Sequence, residues 1–358
     1  MSRILITGIC GFAGSVIARQ LLNAREGLKI CGIDNLCRPG SETNLESLRE
    51  LGVEVHIGDV RNAADLAACG DADWLIDAAA NPSVLAGVDG RTTSKELIEH
   101  NLYGTVEMLE YCRIRQIPFT LLSTSRVYSI AELLKVPMKT VGETFAPDLA
   151  SGESITGVGL AGLTESYSTD PPVSLYGSSK RCSELLALEY GATFNFPVWI
   201  NRCGVLAGAG QFGKADQGIF SFWIHSWASG KPLKYLGFEG SGRQVRDCLH
   251  PADLVPLLLS QFDHAEKGGK PAIVNVAGSA ENSMSLAQLS EWCTSRFGSH
   301  EVIRDGSERP FDLPWVVLDS SLCQREWNWA PRRRLTQVLD EIADHAIANP
   351  HWLELVTA

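Results

Sequence analysis

A short β-rich run, Arg3–Thr7, ends abruptly at Gly8, and an amphipathic stretch over 12–23 follows it through Gly11 and Gly14. This GxxGxxG spacing between a predicted strand and a predicted helix constrains the chain more than any other feature. Gly8 permits the tight turn, Gly11 lets backbone N–H groups approach a pyrophosphate, and Gly14 allows close helix–sheet packing. The helix N-terminus favours the negative charge. Asp34 stands at the end of the next apolar run, 28–33, where a carboxylate accepts hydrogen bonds from an adenosine ribose and repels a 2′-phosphate. The combination predicts a dinucleotide site with NAD preferred over NADP, with Arg38 the nearby residue that pulls the other way. The competing reading is a strand–turn–helix without a ligand.

Apolar runs at 53–57, 74–79 and 119–124 continue the pattern, with a helical period over 95–113 before the last of them. A long helix over 174–190, a strand over 197–202 and a helix over 253–262 come later. Strands alternating with helices imply a parallel sheet covered on both faces. The fold class is therefore α/β, a doubly wound parallel-sheet Rossmann fold with a smaller C-terminal substrate-binding region. Residues 1–200 are expected to form the dinucleotide domain, and 201–358 mainly the substrate region, with 245–265 returning to the first. Residues 130–172 lose the regularity and are rich in Gly, Ser and Thr, including Gly152, Gly157, Gly159 and Gly162. They read as a mobile insert.

Composition removes several classes. With 31 basic against 42 acidic residues the net charge is −11, which argues against a nucleic-acid partner. The 10 cysteines are scattered through 358 residues without a CxxC pair, and the 8 histidines form no ligand-spaced cluster. Reduced, buried thiols and no metal are expected. The N-terminal apolar stretch is broken by glycines and meets Arg19 at once, unlike a signal peptide. No apolar run reaches the roughly 18 residues of a membrane span. A soluble cytoplasmic protein with no membrane partner is the expectation.

Tyr176 and Lys180 form a YxxxK pair at the start of the long helix. Positions i and i+4 share a face, so the ammonium is expected to favour the phenolate. Such a phenol removes a hydroxyl proton while a nicotinamide removes hydride. A hydroxyl from Ser123, Thr124 or Ser125, at the carboxyl end of the 119–124 strand, is expected to steady the substrate oxygen. By itself YxxxK is a common surface pattern. The dinucleotide loop upstream reverses that weighting.

With these motifs in place the chain resembles the extended short-chain dehydrogenase/reductase family of NAD-dependent nucleotide-sugar epimerases and dehydratases, over essentially its whole length. The resemblance rests on Gly8, Gly11 and Gly14, Asp34-Asn35-Leu36, Gly58-Asp59-Val60, Asn101 with Gly104-Thr105, Tyr176 with Lys180, and Val245-Arg246-Asp247. Asp77-Ala78-Ala79-Ala80 stands where the family has a His-led segment. The resemblance implies Thr124, Tyr176 and Lys180 as the catalytic triad. It implies a cofactor site of Gly8, Gly11, Phe12, Ala13, Gly14, Asp34, Asn35, Asp59, Val60, Ala78, Ala79, Ala80 and Asn101, together with Tyr176 and Lys180.

The residues after Thr124 discriminate within the family. Dehydratases have Thr-Asp-Glu, whereas this chain has Thr124-Ser125-Arg126 and lacks that acid and base. The basic third residue is similar to the CDP-paratose 2-epimerase (CDP-tyvelose epimerase) branch. So are Gln211-Phe212, Asp216-Gln217-Gly218 and the stretch from Gly242 to His250. The implied reaction is transient oxidation of C2 of a CDP-linked deoxyhexose to a 2-keto sugar, rotation, and reduction from the other face. The diphosphate would be clamped by Arg246, assisted by Arg243 or Arg309, and Gln211 and Gln217 would also contact substrate. Val205 and Ala207-Gly208-Ala209 replace the family's usual Asn and Tyr-Gly-Pro. A 4-epimerase or decarboxylase with the same triad is the nearest rival, and a non-catalytic NAD-sensing protein the remote one. Apolar stripes at Leu97, Leu102, Val106 and Leu109, and at Leu185, Leu186 and Leu188, fall on the helices that pair between subunits in the resembled family, so the resemblance implies a homodimer, with a tetramer open; the alternative is packing on the chain's own sheet.

Overall fold

The computed structural model describes residues 2–149, 155–265 and 267–357. Seven parallel strands form the central sheet: β1 (Arg3–Thr7), β2 (Lys29–Asp34), β3 (Glu54–Ile57), β4 (Trp74–Asp77), β5 (Phe119–Thr124), β6 (Val198–Cys203) and β7 (Ile273–Val276). Their order is β7-β6-β5-β4-β1-β2-β3, so the chain reverses direction across the sheet between β1 and β4. At such a switch point connections leave to opposite faces and open a crevice beyond the carboxyl ends. Register brings Thr7 beside Asp77, and Thr124 beside Cys203, along that edge. The fold is the doubly wound α/β architecture expected.

Strand side chains alternate between two cores, as burial on both faces requires. Ile4, Ile6, Trp74, Ile76 and Leu122 pack on one side with Ile17 and Leu21 of the Phe12–Ala24 helix. Leu5, Ile33, Leu75, Leu121 and Ile200 face the other, with Leu109 and Ala187. The Leu254–Asp263 helix adds Leu254, Leu257 and Leu258 to the first core. A separate core in the C-terminal region holds Phe220, Trp223 and Trp227 with Leu339 and Ile342, so the aromatics over 220–227 pack an interior.

The helical period over 95–113 became one continuous rod, Ser94–Ile98 to Gly104–Arg115, with a π turn at Glu99–Tyr103. Such a turn inserts an extra residue and often marks a functional position. The short helices Glu42–Glu50 and Ala63–Ala68 escape periodicity because each buries one residue, Leu48 and Leu66. Residues 130–172 are not the irregular loop their composition suggested. They include an Ile130–Lys135 helix and an antiparallel pair, Met138–Val141 with Thr144–Pro147. The calls at residues 151–154, including Gly152, fall outside the described residues.

All 10 cysteines are unpaired, as expected of thiols, but Cys37 and Cys182 are exposed rather than buried. The stripes read as dimer-facing divide. Leu97 and Leu109 are sealed inside the chain, while Leu185 is 51% exposed. Among the described residues no helix is long and apolar enough to cross a membrane, and no cluster of His, Cys, Asp or Glu is arranged to hold a metal ion.

Candidate active site

A cleft of about 570 Å³ opens at the carboxyl edge of the sheet. On one wall the chain leaves β1 at Gly8 with φ of 62°, which a side chain would resist. A Cβ there would lie 2.8 Å from Ala79 Cα. At Gly14 a Cβ would meet the Gly8 carbonyl oxygen at 2.3 Å, so the helix sits directly on the loop. Asp77 holds the facing strand end in place. Its Oδ1 accepts from Thr7 Oγ1 at 2.8 Å and from Ala79 N at 3.1 Å, pressing residues 78–80 against Gly8. Asp77 Oδ2 has no partner among the described residues, and burial raises its pKa.

Asp34 closes this end of the cleft. Its Oδ2 accepts from Cys10 N and its Oδ1 from Leu36 N, both at 2.9 Å. These bonds orient the carboxylate at the mouth, while burial raises its pKa. The cradle fits a dinucleotide: space that a Cβ would fill is left open at the helix start, and a fixed carboxylate stands at the second strand's end. Gly8, Gly11, Phe12, Ala13, Gly14, Asp34, Asn35, Val60, Ala78, Ala79 and Ala80 all line it.

Thr124, Tyr176 and Lys180 line the same cleft from the other side. Thr124 ends β5 and its side chain is close enough to the Tyr176 phenol to act on it. The structure also separates two of the candidate hydroxyls. Ser123 donates to Glu184 Oε1 at 2.6 Å in the interior, whereas Thr124 meets the phenol. Burial pushes the Tyr176 phenol up to about 12, with the Thr124 hydroxyl and the Arg126 guanidinium pulling against it. Lys180 acts electrostatically on Asp77 and Cys203, and Arg126 is a cation that acts on Tyr176.

Other expected contacts are rearranged. Asp59 does not line the cleft; Arg61 takes both its oxygens, at 2.9 and 2.7 Å, and holds its carboxyl well below the usual range. Asn101, in the π turn, stands behind the wall. It accepts from Asn81 N at 2.8 Å and donates to Asn81 O and Ser179 Oγ, both at 3.1 Å, which positions Asn81 on the lining. Gln211 and Gln217 reach the cleft, but Gln217 Oε1 accepts from Arg38 Nη1 at 2.6 Å. Arg38 also donates to Phe212 O at 2.6 Å, so this cation is engaged by the loop opposite. Ser83 and Asp216 add a second tie at 2.7 Å. These cross-cleft ties join positions far apart in sequence and left no local signal. Arg243 is drawn away toward Glu143 at 3.6 Å. Arg246 and Arg309 lie outside the cleft lining, against residues 312–313 and Ala215.

An open parallel sheet with a glycine cradle at its switch point, facing a Thr–Tyr pair and a lysine, defines a dinucleotide-dependent enzyme. The model of the NAD dependent epimerase/dehydratase family matches residues 4–277, and the chain belongs to that family, with NAD as its cofactor. It is 29% identical to CDP-paratose 2-epimerase of Salmonella typhi over 350 residues, covering 92% of this chain and 95% of that one. It is 25% identical to dTDP-glucose 4,6-dehydratase of Escherichia coli, over 99% and 95% of the two chains. The fold is similar to UDP-glucose 4-epimerase from Bifidobacterium longum in complex with NAD+ and UDP, with a TM-score of 0.76, 20% identity, and 98% and 100% of the chains covered.

Gly14→Ala tests the cradle. The added methyl must displace the Gly8 carbonyl or the helix, an overpacking cost of about 1–3 kcal/mol. NAD affinity measured by calorimetric titration should fall about tenfold or more. Unchanged affinity would show that the loop adapts.

Proposed function

We propose that this protein inverts C2 of a CDP-linked deoxyhexose, of the CDP-paratose/CDP-tyvelose type, through a transient 2-keto sugar. The observation that carries the reading is that Thr124 and Tyr176 stand together in the wall of the dinucleotide cleft. It is supported by the 29% identity to a C2 epimerase over nearly the full chain. It is also supported by the Thr124-Ser125-Arg126 sequence, which lacks the acid and base needed to eliminate water.

The phenolate of Tyr176 takes the proton of the C2 hydroxyl, and Thr124 hydrogen-bonds the same oxygen. NAD held in the glycine cradle would supply the acceptor and then the donor of the C2 hydride, so that C2–OH would become a carbonyl and then an alcohol again with no net redox. Between the two transfers the sugar turns about its link to the diphosphate. Tyr176 returns its proton once the opposite face is presented. Lys180 lines the same cleft beside Thr124 and Tyr176.

The experiment is incubation of the enzyme with a CDP-3,6-dideoxyhexose in heavy water, followed by NMR at each ring carbon. Inversion at C2 with the original hydrogen retained is expected. Deuterium entering C2 would replace hydride transfer with deprotonation, and inversion at C4 would transfer the reading to a 4-epimerase.

A further inference from the structure

Three guanidinium groups gather beside the Tyr176 helix at one loop. Arg126 Nη1 donates to Phe311 O at 3.3 Å, and Arg246 Nη1 donates to Leu313 O at 3.0 Å, two residues along. Arg246 also approaches Asp312 at 3.5 Å, and Arg309 begins the same turn. Phe311 between them holds φ of 59°, uncommon for a residue with a side chain. The carboxylates that act on Arg126 and Arg246 are Asp312 and Asp247. Asp247 is already engaged by Leu318 N at 2.8 Å and Val205 N at 3.0 Å. Two buried guanidiniums, Arg126 and Arg246, therefore share Asp312, with Arg309 at their edge, an arrangement that favours an anion.

Arg126 is the member of this cluster nearest the chemistry. Its backbone packs against the first turn of the Tyr176 helix, where a Cβ on Gly177 would lie 2.3 Å from Arg126 O. Its N–H donates to Thr124 Oγ1 at 3.2 Å. Its charge acts on Tyr176, Arg246 and Arg309 alike. Among the described residues no hydrogen bond engages its Nε or Nη2, and neither is a sealed, unpartnered atom. Two of its donors therefore have no hydrogen-bond partner among the described residues.

We infer that Arg126 sets which sugar carbon reacts, by holding the phosphate attached to C1 next to the Tyr176 phenol. This rests on the reading that Tyr176 takes a sugar hydroxyl proton. C2 is the only hydroxyl-bearing ring carbon bonded to C1, whereas C4 lies across the ring. An anion site that abuts the proton acceptor therefore brings C2 to Tyr176 and carries C4 away. The same contact places the pivot, the C1–oxygen–phosphorus link, beside the reacting carbon. C2 then stays within reach of Tyr176 when the sugar turns over.

The test compares wild type with Arg126→Met, Arg126→Gln and Arg126→Lys, using a CDP-3,6-dideoxyhexose and reading products at C2 and C4 by NMR. Arg126→Met should raise KM and lower kcat/KM about 10- to 100-fold, the loss of one charge-assisted hydrogen bond. The share of turnover at C4 should rise. Arg126→Lys should keep reaction at C2 with a weaker KM. NAD affinity and melting temperature should stay near wild type, since removing one of three like charges relieves repulsion. If Arg126→Met does not bind NAD, the same ratio is read in Arg126→Gln. A neutral variant that binds NAD, inverts C2 within threefold of wild type and shows no change in the C2:C4 ratio overturns the inference. Wild-type enzyme that reacts only at C4, or not at all, overturns the functional reading instead.

Discussion

Tyr176→Phe should lower turnover of the nucleotide sugar by about 10²–10⁴-fold, the usual worth of a positioned acid–base group. NAD affinity and the melting temperature should stay unchanged. The substitution removes one oxygen at the cleft wall, and its side-chain neighbour there is Thr124. The ring remains to pack beside the cradle, so the fold loses little. The pH dependence carries a further sign. Burial pushes the phenol up to about 12, so near neutrality it is protonated, and only its deprotonated form accepts the substrate proton. The rate of sugar oxidation in a single turnover should therefore climb with pH above neutrality. Tyr176→Phe should flatten that climb. A Phe variant with more than a tenth of wild-type turnover, or with the same pH slope, would place the proton transfer elsewhere.

The strands were legible because burial on both faces leaves continuous apolar runs. The Arg3–Thr7 and Phe119–Thr124 runs in the sequence are the observed strands residue for residue. The phosphate cradle was equally readable, since a turn that excludes side chains writes itself as glycine spacing. What escaped depends on where long polar side chains end. Arg243 and Arg246 are three positions apart, on either side of Gln244 and Val245, and the first turns to Glu143 while the second turns to residues 312–313. Gln217 was read as facing substrate, yet its amide oxygen accepts from Arg38, 179 residues earlier. Asn101 keeps its place in the motif, but the π turn directs it to Asn81 rather than into the cleft. Arg126 was visible as an unusual residue after Thr124. Only the packing of residues 309–313 shows that it belongs to a cationic cluster.

Arg202→Met should destabilise the protein by about 3–5 kcal/mol, because it strands a carboxylate in the interior. Glu184 is 0% exposed and Arg202 is 3% exposed. Arg202 Nε and Nη2 grip the two carboxylate oxygens at 3.0 and 2.8 Å. Ser123 Oγ adds 2.6 Å from β5, and Arg181 Nη1 adds 3.2 Å from one turn earlier in the Ser174–Phe194 helix. Arg202 also donates to Tyr128 Oη at 3.3 Å, and Tyr128 donates to Asn275 on β7 at 2.6 Å. The network thus ties one helix to three strands. Glu184 lies one turn beyond Lys180, so the tie holds the same helix that carries Tyr176 and Lys180. At about 2–4 °C per kcal/mol for a large domain, the melting temperature should fall by roughly 10 °C. Arg202→Met with Glu184→Leu should recover much of the loss, because matched apolar groups no longer leave a buried charge. The two variants and their combination, followed by urea unfolding, form the cycle that measures the coupling. A single Arg202→Met variant as stable as wild type would mean that Arg181 and Ser123 suffice to hold the carboxylate. In that case the catalytic helix is seated by its apolar face, through Ala187 and its neighbours, rather than by this ion pair.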